Sequence, residues 1–145
     1  MKQSWLIIER EENWLVDKSR KFSSFGLSIR YQTAARSIKE GDLIFGYVSS
    51  GISCFSDMRL AKSDGVRPGR REMDYDTSFQ LYVETKPLLI LPTACWLPVR
   101  SIAEELELLR GRRDWRQMFR TSLRRLTEAD SKFLRTALQR RRPRE

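Results

Sequence analysis

Histidine is absent from all 145 residues. Its absence removes Ser-His-Asp and Cys-His nucleophilic chemistry and the commonest general base near neutral pH. It also removes the imidazole ligands of ordinary zinc sites, and two cysteines, Cys54 and Cys95, are too few to replace them. The two thiols lie far apart and read as buried cysteines of a reducing compartment rather than a disulfide. No apolar run approaches the roughly 20 residues of a membrane helix. Met1-Lys2-Gln3-Ser4 leads straight into the short run Trp5-Leu6-Ile7-Ile8, without a leader pattern. These absences predict a soluble cytoplasmic protein with no membrane association. A Gly-rich phosphate loop ending in Lys-Ser/Thr and a GxGxxG fingerprint are missing too. The carboxylates fall at solvated-looking positions, Glu9 to Glu12, Glu104 to Glu107, Glu128 and Asp130. We therefore expect no catalytic residue, no metal, no cofactor and no enzymatic activity.

Positive charge is abundant. The chain carries 28 Lys and Arg against 19 Asp and Glu, a formal net charge of +9. Such a balance favours an anionic partner, most simply nucleic acid. The excess is uneven: thirteen Lys and Arg against seven Asp and Glu lie from Ser101 onward. Arg110, Arg112, Arg113, Arg116, Arg120, Arg124 and Arg125 crowd one short stretch. Arg113, Arg116, Arg120, Arg124 and Arg125 are the candidate phosphate-binding residues, since backbone neutralisation by arginine gives affinity without sequence choice. The plain alternative is a solvated surface that keeps the protein soluble.

The length suits one domain, over residues 1–139, followed by a disordered basic tail, 140–145. Within it, Trp5 to Glu9, Leu43 to Val48 and Ile52 to Leu60 read as strands. Phe79, Leu81 and Val83 alternate with Gln80, Tyr82 and Glu84, the period of a strand covered on one face. Pro87 and Pro92 bracket Leu88 to Leu91 as an edge or separate strand. Phe22 to Ser28 is rich in Ser and Gly and reads as a loop, and Ala61 to Tyr75, with Asp64-Gly65 and Pro68-Gly69, as a mobile surface loop. A short helix is expected over Tyr31 to Lys39, stopped at Gly41. Ser101-Ile102-Ala103-Glu104 has capping-box spacing and predicts a helix to Leu109. Thr127 opens a last helix with Phe133, Leu134, Ala137 and Leu138 on one stripe. Strands with a few short helices and no βαβ alternation make an α+β or mainly-β barrel.

The stretch Ser37 to Ser50 carries the most information about binding. A helix ends at a Gly turn, and an apolar strand leaves it with Tyr47, Ser49 and Ser50 at its far end. Such a corner can shape the mouth of a small barrel, a common place for a small planar group. Trp5 and Trp14 adjoin apolar runs and read as core. Tyr47 suits a strand or a site equally, and Trp115 with Phe119 at helical spacing ordinarily means packing. Phe25, isolated among Ser23, Ser24 and Gly26, has no packing reason visible in the sequence.

In order along the chain stand Trp5, Glu12-Asn13-Trp14, Phe25-Gly26-Leu27, Tyr31-Gln32, Ile38-Lys39-x-Gly41-Asp42, Tyr47-Val48-Ser49, Arg113-x-Trp115 and Arg125-Leu126-Thr127-Glu128-x-Asp130. This series resembles the EVE domains of the PUA-like group, to which YTH and ASCH domains also belong. The resemblance runs from Trp5 to Leu138 and rests on the order of the motifs, since Lys-x-Gly-Asp alone recurs in many barrels. It implies an α+β, PUA-like twisted β-barrel with short flanking helices. It further implies a non-enzymatic reader of a flipped, often methylated, base in DNA or RNA. Carried over, the pocket comprises Phe25, Gly26, Leu27, Tyr31, Tyr47, Ser49, Ser50 and Trp115. Phe25 stands where the family usually has tryptophan and Cys54 where glycine is common, so base preference is not inherited. Two other readings stay open: a PUA-like module recognising RNA structure in tRNA or ribosome metabolism, and an ASCH-like nucleotide-metabolising enzyme. Oligomeric state is not fixed by the residues; a monomer is the working expectation.

Overall fold

A computed structural model describes residues 2–69 and 79–144. Its strands are β1 (Ser4–Glu9), β2 (Ser24–Ser28), β3 (Leu43–Val48), β4 (Cys54–Ala61), β5 (Arg67–Pro68), β6 (Phe79–Ile90), β7 (Leu97–Pro98) and β8 (Leu123–Leu126). Its helices are α1 (Glu11–Ser19), α2 (Gln32–Ala35) and α3 (Glu128–Arg140), and several 3-10 turns join the rest. The strands form one sheet in the order β2-β6-β4-β3-β1-β8, with β5 added to β6 and β7 to β4. Among the described residues β1 and β3 pair in parallel, and the other pairs are antiparallel.

Alternation along β1 sends side chains to two separate cores. Trp5 and Ile7 join Phe25, Leu27, Ile44, Leu81, Val83 and Leu123, with Ala35 and Ile38 at one end. Because this cluster draws on both ends of the strand order, it lies on the face that the curled sheet encloses. Leu6 and Ile8 point the other way, into a larger cluster with Phe45, Tyr47, Phe55, Phe119, Leu134 and Leu138. Helix α3 and the segment before β8 cover that outer face.

The enclosed face is apolar at one end and polar at the other. Arg59 is fully buried, with Nε 2.7 Å from Asp57, one terminal nitrogen 2.8 Å from Asp17 and the other 3.3 Å from Glu9. Trp14 donates its indole N–H to Asp57, Ser56 donates its hydroxyl to the same carboxylate, and the guanidinium lies over the Phe22 ring at 5.0 Å. Gly46 lies against Asp57: a Cβ there would collide with the carboxylate. Burial, and next the charge of Asp17, hold the Glu9 carboxyl well above the ordinary range, and the three acids outweigh burial to keep Arg59 charged.

Several expectations need correction. Phe22 to Ser28 is not a loop, because Ser24–Ser28 pair with β6. Proline does not divide β6, which runs through Pro87 opposite a bulge at Met58/Arg59. The capping box at Ser101 does not open a helix. Its hydroxyl donates instead to Pro98 O, and Asp130 accepts from the backbone N–H groups of Glu107 and Leu108, which a continuing helix would turn inward. The last helix does begin at Thr127, whose hydroxyl accepts from Asp130 N. Arg140 belongs to α3, and Arg141 donates to Cys95 O and Trp96 O, so order extends into the expected tail. Cys54 and Cys95 are free and half-buried rather than buried. The expected loop from Ala61 is described to Gly69 and includes β5; its remainder, with Arg70 and Arg71, lies outside the described residues.

Candidate functional site

The β3–β4 turn is built from Ser49-Ser50-Gly51-Ile52-Ser53, and Ser50, Gly51 and Ser53 have φ of 59°, 89° and 53°. Positive φ is cheap at Gly51 and unusual at the two serines. The turn is tied down at its start, where Ser49 donates both its N–H, at 2.8 Å, and its hydroxyl, at 3.2 Å, to Glu9 O. The turn is thus anchored on the backbone of Glu9, a member of the buried acid network.

Facing this turn is the 3-10 turn Trp115–Phe119, opened by Asp114, whose carboxylate accepts from Arg116 N. Phe119 lies flat on Tyr47, with ring centroids 4.0 Å apart and planes 9° apart. Trp115 meets Phe119 edge to face at 6.0 Å, and Tyr47 meets Phe55 likewise at 5.1 Å. Burial holds the Tyr47 hydroxyl above its ordinary pKa, although Ser53 hydrogen-bonds to it. Tyr47, Ser49, Ser50, Gly51, Ser53, Arg116 and Phe119 enclose a cavity of about 180 Å³. That is below the roughly 300–1,000 Å³ of drug-sized clefts and suits a single small planar or anionic group.

A second cavity, of about 400 Å³, adjoins the first through Arg116 and is lined by Arg100, Ala103, Glu104, Arg113, Asp114 and Trp115. Arg100, Arg113 and Arg116 are exposed, and Trp115 is half-buried. The Arg116 ion pair with Asp114 spans 3.4 Å between well-exposed side chains, a contact easily exchanged for another anion.

The structure thus brings Tyr47, Ser49, Ser50 and Arg116 to one opening, with Trp115 and Arg113 beside it. It places other candidates elsewhere. Phe25 and Leu27, each 1% exposed, are sealed in the enclosed core, and Gly26 is buried between them on β2, paired with Tyr82. The packing reason that the sequence hides is that β2 is an edge strand closing over this core. Tyr31 bridges the ends of the curled sheet. Burial raises its hydroxyl's pKa, but hydrogen bonds with Thr121 and Ser122 and the nearby Arg30 outweigh that and lower it. Arg124 and Arg125 lie on β8, opposite Leu6 and Trp5; Arg125 is exposed and its guanidinium covers the Trp5 ring at 5.1 Å, while Arg124 is half-buried. Arg120 is exposed just after Phe119. Sequence reasoning missed Gly51, Ser53 and Phe119 of the first cavity and Arg100, Ala103, Glu104 and Asp114 of the second. The signal for Phe119 was its spacing from Trp115, which marked packing but not the partner.

No protein-family model matches the chain. No curated protein matches it in sequence either. Among solved structures, a hypothetical protein from Leishmania major is similar at 12% identity, TM-score 0.67, over 98% of each chain. The YTH domain of Zygosaccharomyces rouxii MRB1, in complex with N6-methyladenosine RNA, is similar at 11% identity and TM-score 0.63, over 95% of this chain and 87% of that one. Human THYN1, in complex with 5-methylcytosine-containing DNA, is similar at 12% identity and TM-score 0.61, over 99% and 100%. At such identities the likeness is one of fold, and the class it defines is the α+β, PUA-like fold.

Proposed function

We propose that this protein is a non-enzymatic nucleic-acid-binding module of EVE-like type that engages a single, modified base at the mouth between the β3–β4 turn and the Trp115–Phe119 turn. The observation that carries this reading is convergence: residues 47–53 and 116–119, remote in sequence, meet around one small cavity beside exposed arginines. Ser49, Ser50 and Ser53 supply hydroxyls that donate or accept, suited to reading a base edge. Arg113, Arg116 and Arg120, all exposed, supply the phosphate-facing surface. The complexes of similarly folded proteins with N6-methyladenosine RNA and 5-methylcytosine DNA support a modified base as the ligand class.

The test is titration of labelled oligonucleotides carrying cytosine, 5-methylcytosine, adenine or N6-methyladenine, single-stranded and duplex. One methylated form is expected to bind about fourfold tighter than its parent, since a buried methyl contributes about 0.8 kcal/mol. Ser50→Asp, at an exposed position whose backbone aspartate tolerates, is expected to weaken that binding. Equal affinity for all four bases, unmoved by Ser50→Asp and Arg116→Glu, contradicts the reading. Preference for folded RNA over every modified oligonucleotide selects recognition of RNA structure instead.

A further inference from the structure

The mouth and the Trp115 cleft share one residue, Arg116, which lines both. We propose that the cleft is a second nucleotide subsite: it takes the base next to the one in the mouth, stacked on Trp115 and chosen for an exocyclic amine by Glu104. This inference rests on the proposed nucleic-acid function and deepens it from one base to a two-nucleotide, single-stranded footprint.

The cleft's composition points to this ligand class. Of the four tryptophans, Trp5, Trp14 and Trp96 are no more than 5% exposed, whereas Trp115 is half-buried and lines a cavity. An indole beside three arginines fits a flat ring that carries negative charge on its backbone, which is what a nucleotide presents. The cavity is more than twice the volume of the mouth, room for a base with its sugar.

Glu104 sets the choice of base. It is exposed at the cleft wall on the 3-10 turn Ala103–Glu105, and that turn is held by Arg110 Nε donating to Glu104 O at 3.2 Å. An ionised carboxylate only accepts, so it pairs with the amine of cytosine N4, adenine N6 or guanine N2 and opposes the O4 carbonyl of thymine or uracil. Asp114, the other acid of the cleft, accepts from the Arg116 backbone N–H at 3.2 Å and keeps that contact when the Arg116 side chain turns to phosphate. Arg116, standing between the cavities, is placed to take the phosphate that joins the two nucleotides.

The experiment uses the whole chain and single-stranded hexamers of dC, dA and dT, with their ribo counterparts, followed by fluorescence anisotropy and intrinsic tryptophan emission. Expected are hexamers of C and A binding about fivefold tighter than T or U, and a quench that Trp115→Phe abolishes while largely keeping affinity. Trp115→Ala should weaken C and A binding about tenfold, and Glu104→Gln should bring all hexamers within about twofold of one another. If Trp115→Ala and Glu104→Gln leave affinity and preference unchanged while Ser50→Asp weakens binding, the second subsite is overturned and the mouth reading stands. If the cleft variants act as expected while Ser50→Asp is silent, the subsite stands and the mouth reading fails. No binding of any hexamer by the wild type at low salt overturns both.

Discussion

Tyr47 and Phe119 stack face to face, 4.0 Å between centroids and 9° between planes, and so join the end of β3 to the turn that carries Trp115 and Arg116. Both rings are buried, at 2% and 8% exposure. The ring contacts of this turn with the sheet run through Phe119, by the stack on Tyr47 and by an edge contact with Phe55 of β4 at 6.4 Å. The mouth therefore exists because two aromatic residues, 72 positions apart by their numbers in the chain, pack on each other.

Removing the ring tests that linkage. Phe119→Ala is expected to lower unfolding free energy by about 3–5 kcal/mol, the usual range for a buried phenylalanine. Urea denaturation checks it; a loss below about 1 kcal/mol means that the stack does not anchor the turn.

The buried ion network gives a second prediction. Arg59→Met leaves Asp57, Asp17 and Glu9 without their cation and is expected to cost about 3–5 kcal/mol. Combining it with Asp57→Asn should cost less than the sum of the single losses, because the two groups share one network. Additive losses in the double-mutant cycle contradict the coupling.

Glu9 makes stability depend on pH in an unusual direction. Burial raises its folded pKa above the unfolded value, so the folded state binds the proton more tightly. This contribution is fully present below the unfolded pKa, about 4.3, and is lost as pH rises through the folded pKa. Wild type should therefore lose stability relative to Glu9→Gln as pH climbs from about 4 upward. Parallel stability profiles for the two proteins across that window refute the assignment.

Salt dependence measures the arginine surface. Replacing Arg113, Arg116 and Arg120 with Gln should reduce the slope of log affinity against log salt by about two on single strands, at roughly 0.7 per phosphate contact. An unchanged slope places the phosphate contacts elsewhere.

How much of this was legible in the sequence varies by element. The alternation in Phe79 to Glu84 and the apolar runs of β1 and β3 announced strands, because burial on a sheet face imposes a period of two. The fold class followed from those strands and the ordered motifs. Ser24–Ser28 was illegible, since its serines and glycine resemble a loop and only pairing with β6 makes them a strand. The helix expected at Ser101 failed because Asp130, 22 and 23 residues from its hydrogen-bond donors, captures backbone groups that no local pattern reveals. For the candidate mouth, Tyr47, Ser49 and Ser50 were legible from their place at a strand end and Arg116 from its basic stretch, and the structure brings the four to one cavity. Phe25 and Leu27 were not, because being sealed in a core depends on the curl of the sheet.

Under the proposed function the ligand sits at the mouth between residues 49–53 and 115–119. Amide chemical-shift mapping during titration with a single-stranded oligonucleotide carrying a methylated base tests it most directly. The largest shifts are expected at Ser49 to Ser53 and Trp115 to Arg120, while Phe25 to Leu27 stay nearly still. Shifts centred on Phe25 to Leu27, with the mouth unmoved, contradict it.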